Sequence, residues 1–227
     1  MRLLILLFIL LFVPSSAAAE FAVFQTSAMP PILLITQSPL EAKQFTRREP
    51  AFAAELAKHK STKLLHYDKA LAALLEKVNT EGNTNITWTS DQDTWGQEEN
   101  WDFPCQVDEK LYDDCDGFAL WKLRRLIDLG LPSTPLLFTL TYTEGQKFHA
   151  VLVVATDAGD FVLDNRMKKV MRSQDLIAFG YNFDSRVAAG DQFDGLWVQF
   201  KPIYHISSQP TGLAVPQRPK NRLCLPR

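Results

Sequence analysis

Two short polar stretches constrain this chain most. Residues 144–147 and 157–160 are built from glycine, acids, amides and lysine, and they separate β-rich runs at 136–143, 148–156 and 161–164. Links this short join neighbouring antiparallel strands, because a parallel return needs a crossover of about a dozen residues. An antiparallel meander is therefore expected, with 148–156 as its most apolar strand. A further strand is expected over 193–204, interrupted at Pro202.

The segment before the meander is helical in pattern. Apolar residues recur at three and four from Ala53 to Leu56 and again from Leu64 to Val78. The polar run at 58–63 divides them into two helices, and 79–85 reads as a polar loop with a short strand after it at 86–89. Residues 114–129 read as one helix, with Asp113 or Asp114 as its cap, Phe118, Leu123, Leu126 and Ile127 on its buried face, and Gly130 and Pro132 as its stop. Helices followed by an antiparallel sheet make an α+β domain. The divisions are a leader at 1–19, an extended arm at 20–50, the domain at 51–206 and an irregular tail at 207–227.

The leader begins with Arg2, continues through an apolar run from Leu3 to Val13, breaks at Pro14 and ends in Ala17, Ala18 and Ala19. That is the layout of a secretory signal, cleaved after Ala19. The run is about half the length a membrane-spanning helix needs. No other segment is long enough to span, so an integral membrane protein is not expected. With 24 basic and 26 acidic residues there is no electrostatic footprint for nucleic acid. Export also bears on the three cysteines, Cys105, Cys115 and Cys224. In an oxidising compartment an odd count leaves one thiol over. A disulfide between Cys105 and Cys224 with Cys115 free is the expected pairing, and it would tie the tail to the Trp-rich segment.

Cys115 falls where a helix begins. The partial positive charge there favours thiolate, and the unpaired N–H groups of the first turn can hold an oxyanion. The flanking Asp114 and Asp116 oppose the thiolate unless His149 or a cation offsets them. His149 lies early in the second meander strand and Asp164 at the end of the third, so a small offset in register brings them side by side. Asp164 then holds one ring nitrogen and leaves the other for the thiol. Taken singly, a helix cysteine, a strand histidine and an Asp-Asn turn are ordinary structural residues; their order and spacing together make the case.

The string Asp114-Cys115-Asp116-Gly117-Phe118-Ala119, then Leu129-Gly130-Leu131-Pro132, His149-Ala150-Val151-Leu152-Val153 and Val162-Leu163-Asp164-Asn165 resembles the bacterial transglutaminase-like cysteine proteinases. Trp95-Gly96, Trp101 and Pro104 add to the likeness, which spans roughly residues 78–170. The resemblance implies a papain- and transglutaminase-like fold with the catalytic cysteine at the start of a helix packed on an antiparallel sheet. It also implies a Cys115-His149-Asp164 triad and a periplasmic location. LapG-type members of that family cut large surface adhesins, release biofilm cells, bind calcium near the catalytic helix and are held by an inner-membrane receptor. Those members have Glu and then Asp after the cysteine, whereas this chain has Asp116 and Gly117. Asp114 and Asp116, joined by Asp113 and backbone carbonyls, can begin a calcium site but Gly117 adds no carboxylate, so no required cofactor and at most weak calcium dependence are expected.

The expected activity is thus a thiol peptidase working through an acyl-enzyme, with a protein substrate and with Trp95 and Trp101 lining its cleft. Two other readings stand beside it. An amine in place of water would make the same triad a transglutaminase or acyltransferase, and the fold without turnover would be a binding module.

Overall fold

The computed structural model describes residues 30, 32–61, 63–143, 147–188, 193–201 and 223–224. The leader, residues 144–146 of the first turn, residues 202–204 and nearly all of the tail lie outside them.

A seven-stranded antiparallel sheet forms the centre. Its strands are β1 (Ile32–Gln37), β5 (Leu136–Tyr142), β6 (Phe148–Thr156), β7 (Gly159–Leu163), β8 (Met171–Arg172), β9 (Asn182–Val187) and β10 (Leu196–Phe200), in the order β1-β10-β9-β5-β6-β7-β8. The expected meander is the run β5-β6-β7. From His149 to Thr156 every residue of β6 is buried, as a strand with neighbours on both sides and a helix against it must be.

The helix on β6 is α5 (Cys115–Asp128). Asp114 caps it, its carboxylate accepting the Asp116 N–H at 3.3 Å. At the other end Gly130 takes φ +89°, which lets the Leu131 N–H reach the Leu126 carbonyl and the Gly130 N–H reach that of Ile127. This paired closure is why glycine suits position 130. Phe118, Ala119, Leu120, Leu123, Leu126 and Ile127 are all at most 4% exposed.

Behind α5 lies α3 (Lys69–Asn85), capped by Asp68 through the Leu71 N–H. The polar stretch 79–85, expected as a loop, continues this helix. One face of this stretch turns inward while Thr80, Thr84 and Asn85 stay exposed: Asn79 is fully buried against Lys122, and Gly82 lets α3 approach, since a Cβ there would stand 3.0 Å from Lys122 Cε and 3.1 Å from the Trp121 ring. A second difference concerns the arm. Within 20–50 the chain forms β1 and then α1 (Leu40–Arg48), which joins α2 (Pro50–Lys58). Tertiary burial overrides a weak local pattern here: Phe45 is 1% exposed and its ring packs near those of Phe52, Phe103 and Phe193.

A small second sheet, β2 (Ile86–Trp88), β3 (Cys105–Val107) and β4 (Lys110–Asp113), has the order β2-β4-β3 and pairs β2 with β4 in parallel. With the one-turn helix α4 (Asp91–Thr94) it organises the acidic, Trp-rich segment and leads directly into α5. The remaining helix is α6 (Ser173–Ala178). Among the described residues no helix is long and apolar enough to cross a membrane.

Lys122 sits in this core with no exposed surface, its Nζ donating to Asn79 Oδ1 at 2.8 Å. Burial pushes its ammonium down to about 7, against the pull of Asp164. An unfolded lysine keeps its proton to about 10.4. Between the two values the unfolded chain binds more protons than the folded one, so this residue makes stability rise with pH. Urea unfolding at pH 6 and pH 8 should show wild-type protein gaining stability relative to Lys122→Met across that interval. Parallel behaviour of the two proteins contradicts a depressed Lys122.

Candidate active site

Leu152 lies opposite Leu163 in the β6–β7 ladder. Continuing that register sets position 164 across from Val151, with His149 two residues along on the same face. Such diagonal neighbours are within reach of long side chains. His149 Nε2 meets Asp164 Oδ1 at 2.9 Å, and both residues are at most 5% exposed. An Nε2–H directed at the carboxylate leaves Nδ1 as the free base. The Asp164 carboxylate also accepts the Arg166 N–H and, through Oδ2, the Tyr181 hydroxyl, each at 2.8 Å. Burial pushes this carboxyl up, but the His149 bond and charge, the Arg166 amide and the Tyr181 hydroxyl outweigh it and hold it below its ordinary value.

Cys115, at the first position of α5, is half-buried and is the free cysteine among the described residues. Its Sγ accepts the N–H of Ala150, the residue after His149, at 3.4 Å. Cys115 and His149 line one cleft of about 630 Å³, together with Trp88, Trp101, Phe148 and Asn165. Burial pushes the thiol well up, and Asp114, Glu99 and Asp91 push it further, while the Ala150 N–H opposes them. The sulfur therefore needs a proton acceptor or a compensating cation beside it before it can act as a thiolate.

The two tryptophans expected in the cleft part company. Trp101 lines it, with its ring 4.9 Å from Phe138 and 5.8 Å from Trp197. Trp95 is not among the lining residues. It packs instead on the disulfide joining Cys105 to Cys224, whose Cα atoms are 6.3 Å apart. Leu223 and Cys224 donate their N–H groups to the carbonyls of Asp93 and Thr94, so this end of the chain is stitched to α4.

Asp114 and Asp116 belong to a larger acidic cluster. Asp91, Asp113 and Asp114 each bring a carboxylate oxygen within 4.8 Å of the others, and Asp91, Glu99 and Asp116 do the same. The sequence reading missed Asp91 and Glu99. The only signal for them was the density of acids in 90–116. Nor do these acids simply solvate a helix start: Asp91, Asp113 and Asp116 are at most 2% exposed. Burial pushes Asp91 up to about 8, and burial with mutual repulsion drives Asp113 and Asp116 well above their ordinary range. Asp91 Oδ1 and Asp116 Oδ1 are buried without a hydrogen-bond partner. Unpaired, closely spaced hard oxygens fit a hard divalent cation.

Gly117 has a specific role in this cluster. A Cβ at 117 would overlap the Asp113 carboxyl. The space a side chain at 117 would fill therefore holds a carboxylate from the preceding strand. Alanine normally stabilises a helix interior by about 1 kcal/mol over glycine. Here a buried overlap outweighs that gain, and overpacking costs about 1–3 kcal/mol. Gly117→Ala should lower the unfolding free energy by that order in urea titration, and Gly117→Ala with Asp113→Gly should recover much of it. A neutral or stabilising single substitution contradicts the packing.

Residues 33–203 match the family of the bacterial transglutaminase-like cysteine proteinases. No curated protein matches the chain. Among solved structures, calcium-bound LapG of Legionella pneumophila is 21% identical, with 69% of this chain and 83% of that chain covered at a TM-score of 0.45. The EGTA-treated form of the same protein is 18% identical, covering 72% and 88% at a TM-score of 0.45. The family match runs over both sheets, the helix that begins at Cys115 and the strands bearing His149 and Asp164. The chain belongs to the bacterial transglutaminase-like cysteine proteinases and is a cysteine peptidase of transglutaminase-like fold.

Proposed function

We propose that Cys115, His149 and Asp164 form the catalytic triad of an exported peptidase. The observation that carries this is the buried 2.9 Å contact between His149 and Asp164 in the cleft that also holds Cys115. His149 Nδ1 takes the thiol proton as Cys115 attacks a peptide carbonyl, then returns it to the leaving amine. Water, activated by the same nitrogen, resolves the acyl-enzyme. Asp164 keeps the Nε2–H tautomer and stabilises the imidazolium. The first-turn N–H groups of α5 lie beside the sulfur for the oxyanion. The secretory pattern of residues 1–19 supports export to the periplasm, and the family supports a large surface adhesin as substrate, with a membrane-bound receptor as regulator.

Calcium is the second component of this reading. Its ligands would come from Asp91, Asp113, Asp114, Glu99 and Asp116, with Asp113 supplying the charge that position 117 lacks. Bound there, the ion would neutralise carboxylates that oppose thiolate formation at Cys115. This is a stronger role for calcium than the sequence suggests, because the acids are buried rather than solvated.

Calorimetric titration of the purified chain with calcium should show saturable binding that disappears in Asp116→Asn, together with a rise in melting temperature. No heat and no thermal shift at millimolar calcium removes the ion from the mechanism.

Cys115→Ala and His149→Ala should each lower turnover by about 10³-fold or more, roughly 4 kcal/mol of transition-state stabilisation, with circular dichroism unchanged. Asp164→Asn should cost less and leave a reduced rate, and the double variants should lose little beyond the singles because the groups act as a unit. The assay compares proteins shed from cells carrying wild-type or Cys115→Ala enzyme, followed by cleavage of the purified candidate. Identical shed proteins would remove the adhesin substrate. Full activity in Cys115→Ala would remove the triad. Faster turnover with a primary amine, giving a conjugate, would favour the transferase.

A further inference from the structure

The turn that carries Asp164 is held from behind by one face of α3. Asn79 and Asn83 are four residues apart and so share that face. Asn83 Nδ2 donates to the Asp164 carbonyl and to the Met167 carbonyl, each at 3.0 Å. Asn79 Nδ2 donates to the same Met167 carbonyl at 3.1 Å. The turn closes on itself as well, through the Met167 N–H and the Asp164 carbonyl at 3.3 Å. Behind these amides stands Lys122, from the helix that begins with Cys115.

Lys122 and Met167 together fix which way Asn79 points. Lys122 Nζ donates to Asn79 Oδ1 at 2.8 Å, and the Met167 carbonyl, which only accepts, takes the Nδ2–H. A methionine in the same space would fill the core without burying a polar head and would leave the Asn79 oxygen without its donor. A fully buried lysine whose hydrogen bond goes to a neutral amide is costly for packing alone. Its placement makes sense if the orientation of Asn79 matters.

We propose that Lys122, Asn79 and Asn83 are positioning residues: a clamp, fully buried at Lys122 and Asn79 and half-buried at Asn83 on the edge of the cleft, that sets the turn at 164–167, and through it aims the Asp164 carboxylate at His149. The proposal rests on the triad reading above. The clamp couples the two helices behind the site, because α5 carries both Cys115 and Lys122 while α3 carries both asparagines. It touches no reacting atom, and it acts on the geometry of the acid rather than on substrate.

Alkylation of Cys115 by iodoacetamide tests this without a substrate, since so small a reagent makes no use of peptide subsites. Its rate is followed from pH 5 to pH 9 in the full chain. His149→Ala should slow labelling at pH 7 and move the profile to higher pH. The decisive variants are Asn79→Asp and Asn83→Leu, which keep shape but lose the donors; leucine is used at 83 because that residue borders the cleft, where a new carboxylate would act on the thiol directly. Asn79→Asp gives Lys122 a carboxylate partner, so the fold should be at least as stable while the bond to Met167 is lost. The clamp predicts that both label about 10-fold more slowly at pH 7 with the profile displaced, because small misplacements of catalytic groups are costly. Lys122→Met should shift the profile the same way, and melting curves separate this from unfolding. If the asparagine variants label like wild type while His149→Ala does not, the clamp is overturned and the triad stands. If His149→Ala also labels like wild type, the triad reading falls and the clamp with it.

Discussion

The pairing of β6 with β7 governs the chemistry of this molecule. Side chains alternate along a strand, so a slip of one residue would send His149 and Asp164 to opposite faces. The observed register, Leu152 opposite Leu163, keeps them on one face and two positions apart. The same register buries β6 along its length and gives α5 a flat apolar surface to rest on. That contact brings the first turn of α5 to the start of β6, where the Ala150 N–H meets the Cys115 sulfur. Core packing and the geometry of the candidate site thus have a common origin in one ladder.

Around the sulfur, charge works against the chemistry. Burial and the neighbouring carboxylates favour the neutral thiol. On the far side of His149 a single carboxylate accepts from an imidazole, a backbone amide and a phenol and stays ionised. One well-satisfied acid stands behind His149, and several poorly satisfied acids stand beside Cys115.

Much of this was legible in the sequence wherever local pattern and burial agreed. The α5 helix has a capping aspartate, an apolar face and a glycine stop, and it occupies Cys115–Asp128. The three meander strands are joined by short turns and are rich in β-forming residues, with alternation only in part of β5. Legibility failed where burial came from afar. In β9, Asn182-Phe183-Asp184-Ser185-Arg186-Val187, a buried arginine replaces the apolar residue that would complete the strand pattern. Residues 79–85 look like a loop because the inward positions are themselves polar: Asn79 and Asn83 bond to Lys122 and to the turn at 164–167. Phe45 alone gives little hint of the aromatic cluster that makes α1 a helix. The acid cluster was half visible: Asp114 and Asp116 adjoin the cysteine, but Asp91 and Glu99 arrive through a fold of the chain that no spacing rule reveals.

The bond between Cys105 and Cys224 has a practical consequence for anyone handling the enzyme. It closes a separation of 119 residues, and in the chain-entropy picture a loop of that size stabilises the folded state by about 4–5 kcal/mol. It also anchors the stretch after Ser90 that supplies Asp91 to the acidic wall. Thiol enzymes are commonly stored with a reductant to protect the nucleophile. A reductant that reached this buried bond would unfasten the latch beneath the acids next to Cys115. Preparation history therefore becomes a variable of the protein itself: two samples of the same chain, one reduced and one not, differ in what surrounds an identical sulfur.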